Sequence, residues 1–487
     1  MKRIFTIYLF SVLAYMTASA QVSRPNIVLM YADDMGYGEV HGLNPERGKV
    51  PTPNLDKMIT EGMTFTDAHT ASAVCTPSRY ALLTGRYAWR TRLQAGVLKG
   101  GGDPLVAEDR LTLPGMLREK GYETAISGKW HLDFHYDGDR ETVGTAIPDG
   151  PITRGFDQWF GFHHAREMHI LCKDDKVAEI IDPIDMLPHV TDYAVDYINQ
   201  KADNAKDGKP FFLYVAFGSP HLPILPTKEW EGKSGLGKYG DFVMMTDGMA
   251  GKIIDAIDAN GLKENTIVIF SSDNGTSKAS NVSNLQKKGH YPSANLRGLK
   301  SDLWDGGHRV PFILRWPGGG VKPGVKCEQL IGISDVMATC AKLVDYKLPE
   351  TTAEDSFSFL PALTGNKIES TREGIVHHSG SGFFAIRKGK WKLLLASGSA
   401  GTSKPKFDSN GPPVQLYNME EDIGEQKNLQ AQYPEVVAEM TQLLESYVEN
   451  GRSTLGKAVK NDANIDIWKK KKVSKWEDGE KNKKKKK

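Results

Sequence analysis

The sequence predicts an α/β fold: a large domain with a mostly parallel mixed sheet flanked by helices, then a small C-terminal antiparallel sheet domain with one helix. Three observations predict it. Four runs are apolar throughout, helical patterns separate them, and short strands with turns replace this pattern after residue 365. Uniformly apolar runs are typical of strands buried on both faces, and strand–helix alternation favours a parallel sheet. A chain of 487 residues is longer than one small hydrophobic core usually organises, so we expect a second, smaller domain.

Each of the four apolar runs ends abruptly at a polar cluster. The runs cover residues 26–31, 122–126, 211–217 and 266–270. The clusters that follow are, in the same order, Asp33-Asp34, Ser127-Gly128-Lys129-Trp130-His131, Gly218-Ser219-Pro220-His221 and Ser271-Ser272-Asp273-Asn274-Gly275. Ligands of open α/β sheets bind beyond the carboxyl ends of the strands. The sequence therefore predicts a functional site at this edge of the sheet.

Helix signals and short strands complete the predicted fold. Thr112 is a candidate N-cap, with Pro114 in the first turn and Gly121 after the end, and residues 241–260 form an amphipathic pattern. Short strands are predicted at 374–378, 383–386, 391–396 and 414–418, before a helix at 434–447. We predict a large domain over residues 21–365 and a small domain over residues 366–465.

The two ends of the chain differ from its body. Lys2 and Arg3 precede an apolar run at 4–16 and a small-x-small pattern at 18–20, which predicts a signal peptide over residues 1–20 and export to the periplasm or the exterior. From Lys469 onward, eleven lysines outnumber three acidic residues. Residues 466–487 are predicted to be a basic disordered tail, with attraction to a polyanion as the alternative. We expect neither nucleic-acid binding nor integral membrane contact.

The four cysteines are too few for a disulfide scaffold, and one of them opens a predicted helix. Thr76 is a plausible N-cap, Pro77 a first-turn residue and Gly85 a terminator. Cys75 then lies at the helix N-terminus, where Arg79 can reach back toward it. This setting predicts a reactive thiol with a stabilised thiolate, and the alternative is a buried structural cysteine.

The motif Cys75-Thr76-Pro77-Ser78-Arg79 resembles the signature of the formylglycine-dependent, arylsulfatase-like sulfatases of the alkaline phosphatase superfamily. The resemblance runs from residue 26 to about 452, with motifs in the family's order. These are Asp33-Asp34, the continuation Leu82-Leu83-Thr84-Gly85-Arg86, Gly128-Lys129-Trp130-His131, Pro220-His221, Asp273-Asn274-Gly275, and Gly298-Leu299-Lys300 with the trailing residues 306–311. It implies a sulfuric ester hydrolase.

The resemblance also implies roles for these residues. A maturation enzyme oxidises Cys75 to formylglycine, and one hydroxyl of its hydrate attacks sulfur while the second later expels sulfate. Arg79 and a cation hold the diol, and His131 takes the proton from the second hydroxyl. The sulfate oxygens are bound by Lys129, His221 and Lys300, and either of the last two protonates the departing alcohol. The chemistry needs such groups because a sulfate monoester is a spread anion.

A metal site accompanies this assignment. Its implied ligands are Asp33, Asp34, Asp273 and Asn274, together with residue 75. The aspartates and the asparagine offer only oxygen, which favours a hard cation such as Ca²⁺, with Mg²⁺ as the competitor.

Substrate specificity has weaker signals. Residues 159–169 form a predicted loop outside the shared motifs, rich in groups that can grip a sugar. Its members are Trp159, His163, His164, Arg166, Glu167 and His169, and Asp133 and His135 are further candidates. We expect a sulfated carbohydrate, either a polysaccharide or a glycosaminoglycan fragment, with small aryl sulfates as the alternative.

Two other functions fit the same architecture less well. A phosphomonoesterase or phosphodiesterase of the superfamily typically has two transition metals with several histidine ligands and a threonine or serine nucleophile. The oxygen-only ligands and the cysteine motif argue against it. A binding protein that has lost catalysis requires a missing catalytic residue, and none of the family's set is missing.

Overall fold

A computed structural model of the chain describes residues 24–368 and 372–469. The predicted signal peptide and residues 470–487 of the predicted tail lie outside these ranges. Within them, no helix is both long enough and apolar enough to cross a membrane.

The strands and helices predicted from the sequence are present in the predicted order, with further strands and helices between them. The strands are β1 (Asn26–Ala32), β2 (Met63–Phe65), β3 (Ala68–His69), β4 (Glu123–Lys129), β5 (Gln158–Phe162), β6 (Ile170–Lys173), β7 (Lys176–Ile180), β8 (Phe211–Ala216), β9 (Thr266–Ser272), β10 (Phe312–Arg315), β11 (Val325–Cys327), β12 (Ile331–Gly332), β13 (Ile375–His378), β14 (Phe384–Lys388), β15 (Trp391–Leu394) and β16 (Gln415–Asn418). The helices are α1 (Pro53–Glu61), α2 (Cys75–Thr84), α3 (Leu113–Glu119), α4 (Met186–Lys206), α5 (Lys238–Ala259), α6 (Val282–Lys287), α7 (Asp335–Leu343) and α8 (Pro434–Glu449).

A ten-stranded mixed sheet forms the centre of the large domain, in the order β11-β2-β10-β9-β1-β8-β4-β5-β6-β7. Its middle strands, from β9 to β5, are parallel to their neighbours. Antiparallel pairing begins at β10 on one side and at β6 on the other. The predicted fold class is confirmed.

Both faces of this sheet are buried, which explains why its central strands are apolar throughout. In β1, Leu29 and Tyr31 pack into one core with residues of α2, α3 and α7, while Val28 and Met30 pack into a second core with residues of α4 and α5. Burying each such large apolar side chain contributes about 1.5–3 kcal/mol. A polar residue inside β1 would therefore destabilise one of the two cores.

The C-terminal domain is a four-stranded antiparallel sheet in the order β13-β14-β15-β16, with α8 packed against it. Phe384 and Leu393 share a core with Tyr87 and Trp89 from the large domain. The small sheet is thus joined to the segment that follows α2.

Helix ends give one confirmed prediction and one error. Thr112 caps α3, because its side chain accepts a hydrogen bond from the Gly115 N–H. Thr76 does not cap α2: the helix begins at Cys75, its N-cap is the extended residue Val74, and the Thr76 hydroxyl accepts a hydrogen bond from the Leu98 N–H instead.

Candidate active site

The polar residues that follow β1 meet residues from distant segments at the carboxyl edge of the sheet. Asp33 accepts a hydrogen bond from Lys129 Nζ at 2.5 Å. Asp34 Oδ1 accepts hydrogen bonds from Lys300 Nζ at 2.5 Å and from Asn274 Nδ2 at 2.8 Å. Burial by itself would raise the pKa of Asp33, but Lys129 and the other cations hold it well below its usual range. Asp33 is therefore a carboxylate despite its burial.

Asp273, just after β9, forms a hydrogen-bonded ion pair with the guanidinium of Arg79. Arg79 Nε and Nη2 both donate to Asp273 Oδ2, at 3.0 and 2.7 Å, and Nη1 donates to the Tyr214 hydroxyl at 3.3 Å. Asp273 Oδ1 accepts from the Asp34 N–H at 3.1 Å. Arg79 and Asp273 are fully buried, so this forked pair orients both side chains. The guanidinium of Arg79 therefore lies near Cys75 with its positive charge already paired with the carboxylate of Asp273.

Cys75 is the first residue of α2 and is buried beside this pair. Potential ligand atoms of Cys75, Asp33 and Asp273 lie within 4.8 Å of one another. Burial raises the pKa of the Cys75 thiol, against the opposing effect of Lys129 and Lys300. This direction opposes the predicted stabilised thiolate, because the two lysines do not offset the loss of water and the nearby carboxylates.

Gly128, the residue before Lys129, lies directly against the backbone of β8. Gly128 has φ +114°, and a Cβ built there would lie 2.0 Å from the Ala216 carbonyl oxygen. Any side chain at position 128 would push the two strands apart and move Lys129. The glycine of the Gly128-Lys129 pair is required by packing.

His131 presents one ring nitrogen without a protein partner. Its backbone is left-handed, with φ 58°, and its ring Nε2 lies 3.1 Å from the Leu98 carbonyl. A carbonyl only accepts, so Nε2 carries the proton and Nδ1, which is buried without a hydrogen bond, has the lone pair. Burial, together with Lys129 and His163, lowers the pKa of His131 well below its usual value. His131 is neutral and has a lone pair with which to accept a proton.

His221 lies on the solvent side of the site, with 23% of its side chain exposed. Its Nδ1 lies 2.6 Å from the Leu222 carbonyl and donates to it, while Nε2 lies 3.6 Å from Asp34 Oδ2. Lys300 is the other partly open cation, with 17% of its side chain exposed. These two groups line the open side of the cluster.

The oxygens at the floor of the site suit a hard cation. Asp33 Oδ1, Asp34 Oδ2 and Asn274 Oδ1 are buried and have no hydrogen-bond partner. Unpartnered buried oxygens are costly, and a Ca²⁺ or Mg²⁺ ion is bound by such carboxylate and amide oxygens. The residues therefore fit the cation that the sequence predicts.

The predicted specificity segment is only partly a loop, because its first residues belong to β5. Trp159 is a correction: it is fully buried and its indole N–H donates to the Gly128 carbonyl at 3.2 Å, so it supports β4 and offers no surface to a sugar. His164 and Glu167 are also buried, and the His164 ring lies 5.6 Å from the His131 ring between centroids. Arg166 is exposed.

Of the remaining candidate residues, one is buried and bound to neighbouring backbone, and two are at least partly exposed. Asp133 is buried, accepts a hydrogen bond from the Gly100 N–H at 3.1 Å and lies 2.9 Å from His163 Nε2, out of line for a hydrogen bond. His135 is exposed and its Nδ1 lies 2.6 Å from Asp149 Oδ2. His169 is half-buried.

Sequence reasoning missed the segment at residues 98–100. The carbonyls of Leu98 and Lys99 accept from His131 and His164, and the Gly100 N–H donates to Asp133. These are backbone contacts, so no side-chain pattern signals them. Tyr214 was missed because it lies inside an apolar strand, and Glu39, whose pKa burial raises to about 8, because no motif contains it.

Two family models match the chain: Sulfatase over residues 25–346 and the C-terminal region of aryl-sulfatase over residues 370–475. The chain belongs to the sulfatase family. This confirms the predicted family and makes the protein a sulfuric ester hydrolase. N-acetylgalactosamine-6-O-sulfatase of Bacteroides thetaiotaomicron is 32% identical over 87% of this sulfatase and 93% of its own length. Human arylsulfatase A is 32% identical over 89% and 90%.

Solved structures agree with this assignment. A Bacteroides thetaiotaomicron sulfatase, described in connection with the metabolism of multiple glycosaminoglycans, is 29% identical, with a TM-score of 0.77 over 87% of this sulfatase and 99% of that chain. Ps i-CgsB in complex with k-i-k-neocarrahexaose is 26% identical, with a TM-score of 0.72 over 93% and 97%.

Proposed function

We propose that this sulfatase removes sulfate from a sulfated carbohydrate, using a formylglycine made from Cys75 and a bound Ca²⁺ ion. One observation carries the proposal, and it concerns the surroundings of Cys75. Carboxylate oxygens without hydrogen-bond partners lie beside Cys75, together with cationic side chains that are partly exposed to solvent. That arrangement suits a nucleophile that attacks a bound anion. Relatives named as carbohydrate sulfatases favour a sugar over a small aryl sulfate.

The cation would be held by Asp33, Asp34, Asp273 and Asn274. When bound, it supplies positive charge beside residue 75, and hydrated formylglycine supplies the attacking hydroxyl. Arg79 keeps Asp273 in position through its two hydrogen bonds. Mg²⁺ is the competing ion for the same oxygens.

The sulfate oxygens would be bound by Lys129, Lys300 and His221. Their charges compensate the negative charge that moves toward the leaving oxygen, and preorganised donors in a site with little water act more strongly than in solution. Asp34 raises the pKa of Lys300, although burial acts against it, so the ammonium persists at neutral pH.

Proton transfer would involve the two histidines of the site. His131 Nδ1, neutral and without a partner, suits the acceptance of a proton from the hydroxyl of residue 75. Because His221 Nδ1 already donates to the Leu222 carbonyl, Nε2 on the open side would donate to the departing alcohol from the doubly protonated ring, and Lys300 is the alternative donor.

The first test is the chemical form of residue 75 in the active protein. A formylglycine lowers the mass of the peptide that contains residue 75 by about 18 Da relative to cysteine. Tandem mass spectrometry of purified, active enzyme should find this change at residue 75, with Cys340 unmodified as the internal control. Full activity with an intact thiol at residue 75 would contradict the proposal.

The second test is a substrate panel. Sulfated monosaccharides and oligosaccharides, including N-acetylgalactosamine 6-sulfate, are compared with an aryl sulfate by release of free sulfate. We expect the largest kcat/KM on one sugar. Turnover of the aryl sulfate with none on any sugar would move the function to the aryl class.

Export and maturation complete the proposal. We infer that residues 1–20 direct export and are removed near Gln21, and that a maturation enzyme acts on the Cys75 motif before folding buries it. N-terminal sequencing of protein recovered from outside the cytoplasm, in the native host, checks the first inference. The boundary near residue 365 between the two domains also stays a prediction.

A further inference from the structure

Three buried histidines meet where the small sheet joins the large domain. His69 ends β3, His308 follows the glycines at 306–307, and His377 lies in β13 of the small sheet. All three side chains are at most 1% exposed. Each histidine contributes one ring nitrogen to a set of three atoms that lie within 4.8 Å of one another. The catalytic site described above uses none of them.

The hydrogen bonds of His69 and His308 fix where their protons lie. His69 Nε2 lies 2.8 Å from a carboxylate oxygen of Asp67, and His308 Nε2 lies 3.0 Å from the Leu303 carbonyl. Both partners only accept, so both Nε2 atoms carry hydrogen. Burial lowers the pKa of both imidazoles, although the carboxylate of Asp305 acts against this at both rings. With one proton on each ring, the two Nδ1 lone pairs face each other at 3.0 Å, a contact that needs a proton or a metal ion between them.

His377 adds a third lone pair. Its Nδ1 lies 3.2 Å from the Thr70 carbonyl and donates to it, so Nε2 is the acceptor. That Nε2 is buried and has no hydrogen-bond partner. Each of the three rings therefore donates one N–H to a carboxylate or carbonyl and keeps its other nitrogen free. Metal-binding histidines in proteins have this outer hydrogen bond almost without exception.

The charged side chains around the cluster are balanced, so a divalent cation would meet no net positive charge. Three carboxylates and three cations surround the rings. They are Asp67, Asp305, Glu425, Arg309, Arg387 and Lys392.

We propose that His69, His308 and His377 bind a divalent transition-metal ion, Zn²⁺ by preference, between the two sheets. Imidazole nitrogen suits Zn²⁺, whereas the oxygens beside Cys75 suit Ca²⁺, so the two sites select different ions. Zn–N bonds of about 2.0–2.1 Å to nitrogens 3.0 Å apart subtend roughly 95° at the ion. The His308 and His377 rings stack at 3.9 Å, so one of them must rotate on binding.

The ion would link the small sheet to the segment that leads to Cys75. Beyond His69, the Ser72 hydroxyl donates to the His378 carbonyl at 2.9 Å, and the Ala73 N–H donates to the same carbonyl at 2.9 Å. A bond between His69 and His377 through the metal would hold this junction at a second point. The role is structural, and no catalytic step depends on it.

Metal analysis of the full-length protein tests the proposal. Protein purified without an immobilised-metal column is stripped with a chelator, reconstituted with Zn²⁺ and measured by elemental mass spectrometry. We expect about one zinc per chain, with calcium readdition leaving the zinc in place. Co²⁺ in place of Zn²⁺ should give the visible absorption of a nitrogen-ligated ion.

His377→Phe removes one ligand and keeps an aromatic ring in the stack. We expect its zinc affinity to fall by more than the roughly 10–100-fold that loss of an outer hydrogen-bond partner costs. The matched control is His378→Phe, the next residue of β13, whose ring faces Phe384 and lies outside the cluster. Its zinc content should equal that of the wild type. If His377→Phe fails to fold, the Co²⁺ spectrum of the wild-type protein decides.

Two outcomes would overturn the proposal. The first is wild-type protein that, after reconstitution, binds no zinc and shows no nitrogen-ligated Co²⁺ spectrum; a proton shared by His69 and His308 would then satisfy the facing nitrogens. The second is zinc that is retained by His377→Phe and lost with Asp273→Ala, which would place the ion beside Cys75.

Discussion

Two buried charge clusters of this sulfatase differ in how they meet solvent. Between the two sheets, Lys392 donates to Asp305 at 2.6 Å and to Glu425 at 2.7 Å, and all three side chains are fully buried. Beside Cys75, Lys129 is equally buried, but the neighbouring Lys300 is partly exposed. The first cluster is closed on itself, whereas the second has an open side.

The difference separates stability from function. Removing one partner of a closed ion cluster leaves a buried charge without compensation, which costs about 3–5 kcal/mol. In the open cluster, water and a bound anion or cation can replace a missing partner. We therefore expect substitutions beside Cys75 to change turnover and substitutions between the sheets to change stability.

The largest effect is expected at the proposed nucleophile, Cys75. Cys75→Ala should lower turnover by about 10⁴-fold or more, because it removes the reacting group, while the melting temperature stays near that of the wild type. Cys340→Ala, which removes the same atom from a buried cysteine in the core, is the matched control. It should keep full activity and lose some stability. Sulfate release and thermal unfolding are measured for both.

Metal removal should have the next largest effect. Asp273→Ala deletes a proposed ligand and the partner of Arg79, so metal content and most of the activity should fall together. Asp247→Ala is the control, since Asp247 is buried and accepts a hydrogen bond from Asn54, but is not one of the proposed ligands. Chelation of the wild type followed by Ca²⁺ or Mg²⁺ should restore the rate. Unchanged activity after verified metal loss would contradict the assignment.

The two buried lysines provide a direct test of the comparison. Lys129→Met should lower turnover on every sulfate ester by about 10²–10³-fold, since Lys129 is proposed to bind the sulfate group that all substrates share. Lys392→Met should leave turnover of the folded enzyme near wild type and destabilise it by about 3–5 kcal/mol. Unfolding in denaturant and kcat/KM on two substrates are the measurements. If both variants lost only turnover, or both lost only stability, the two charge clusters would not differ in role.

The smallest effect is expected at Arg166, the exposed member of the predicted specificity segment. Its guanidinium can hold a sugar carboxylate or second sulfate in a bidentate way. Arg166→Ala should lower kcat/KM on the preferred sulfated sugar by about 1–3 kcal/mol, or roughly ten- to a hundredfold, and leave an aryl sulfate unaffected. Arg118→Ala, another exposed arginine, is the control. Equal losses on both substrates would assign Arg166 to the protein surface.

Local sequence patterns predicted the fold and the residues of the sheet edge. The central strands are buried on both faces, so their apolar runs stand out, and a residue of the site follows each run within four positions. Asp33, Lys129 and Asp273 could therefore be placed at one edge before any contact was known. A residue that directly follows a parallel strand lies at the carboxyl edge of the sheet, so its approximate position follows from the strand alone.

Burial and exact partners could not be predicted in this way. Trp159 belongs to a segment rich in polar groups, yet it lies in the core because β5 pairs with β4. Thr76 has the composition of an N-cap, but its hydroxyl bonds to Leu98, twenty-two residues away in the chain. These outcomes depend on which segments pack together, and residue type alone does not encode that.

The sequence by itself determined the family, the fold class and the groups available for chemistry, because these follow from residue types at short, regular spacings. Only the tertiary structure decided the direction in which the pKa values of Cys75 and His131 shift, since the pKa of a buried group depends on neighbours that are distant in the chain. It also brought together His69, His308 and His377 from three separate segments. Folding creates such a cluster by adding contacts between residues hundreds of positions apart, for which a linear pattern has no signal.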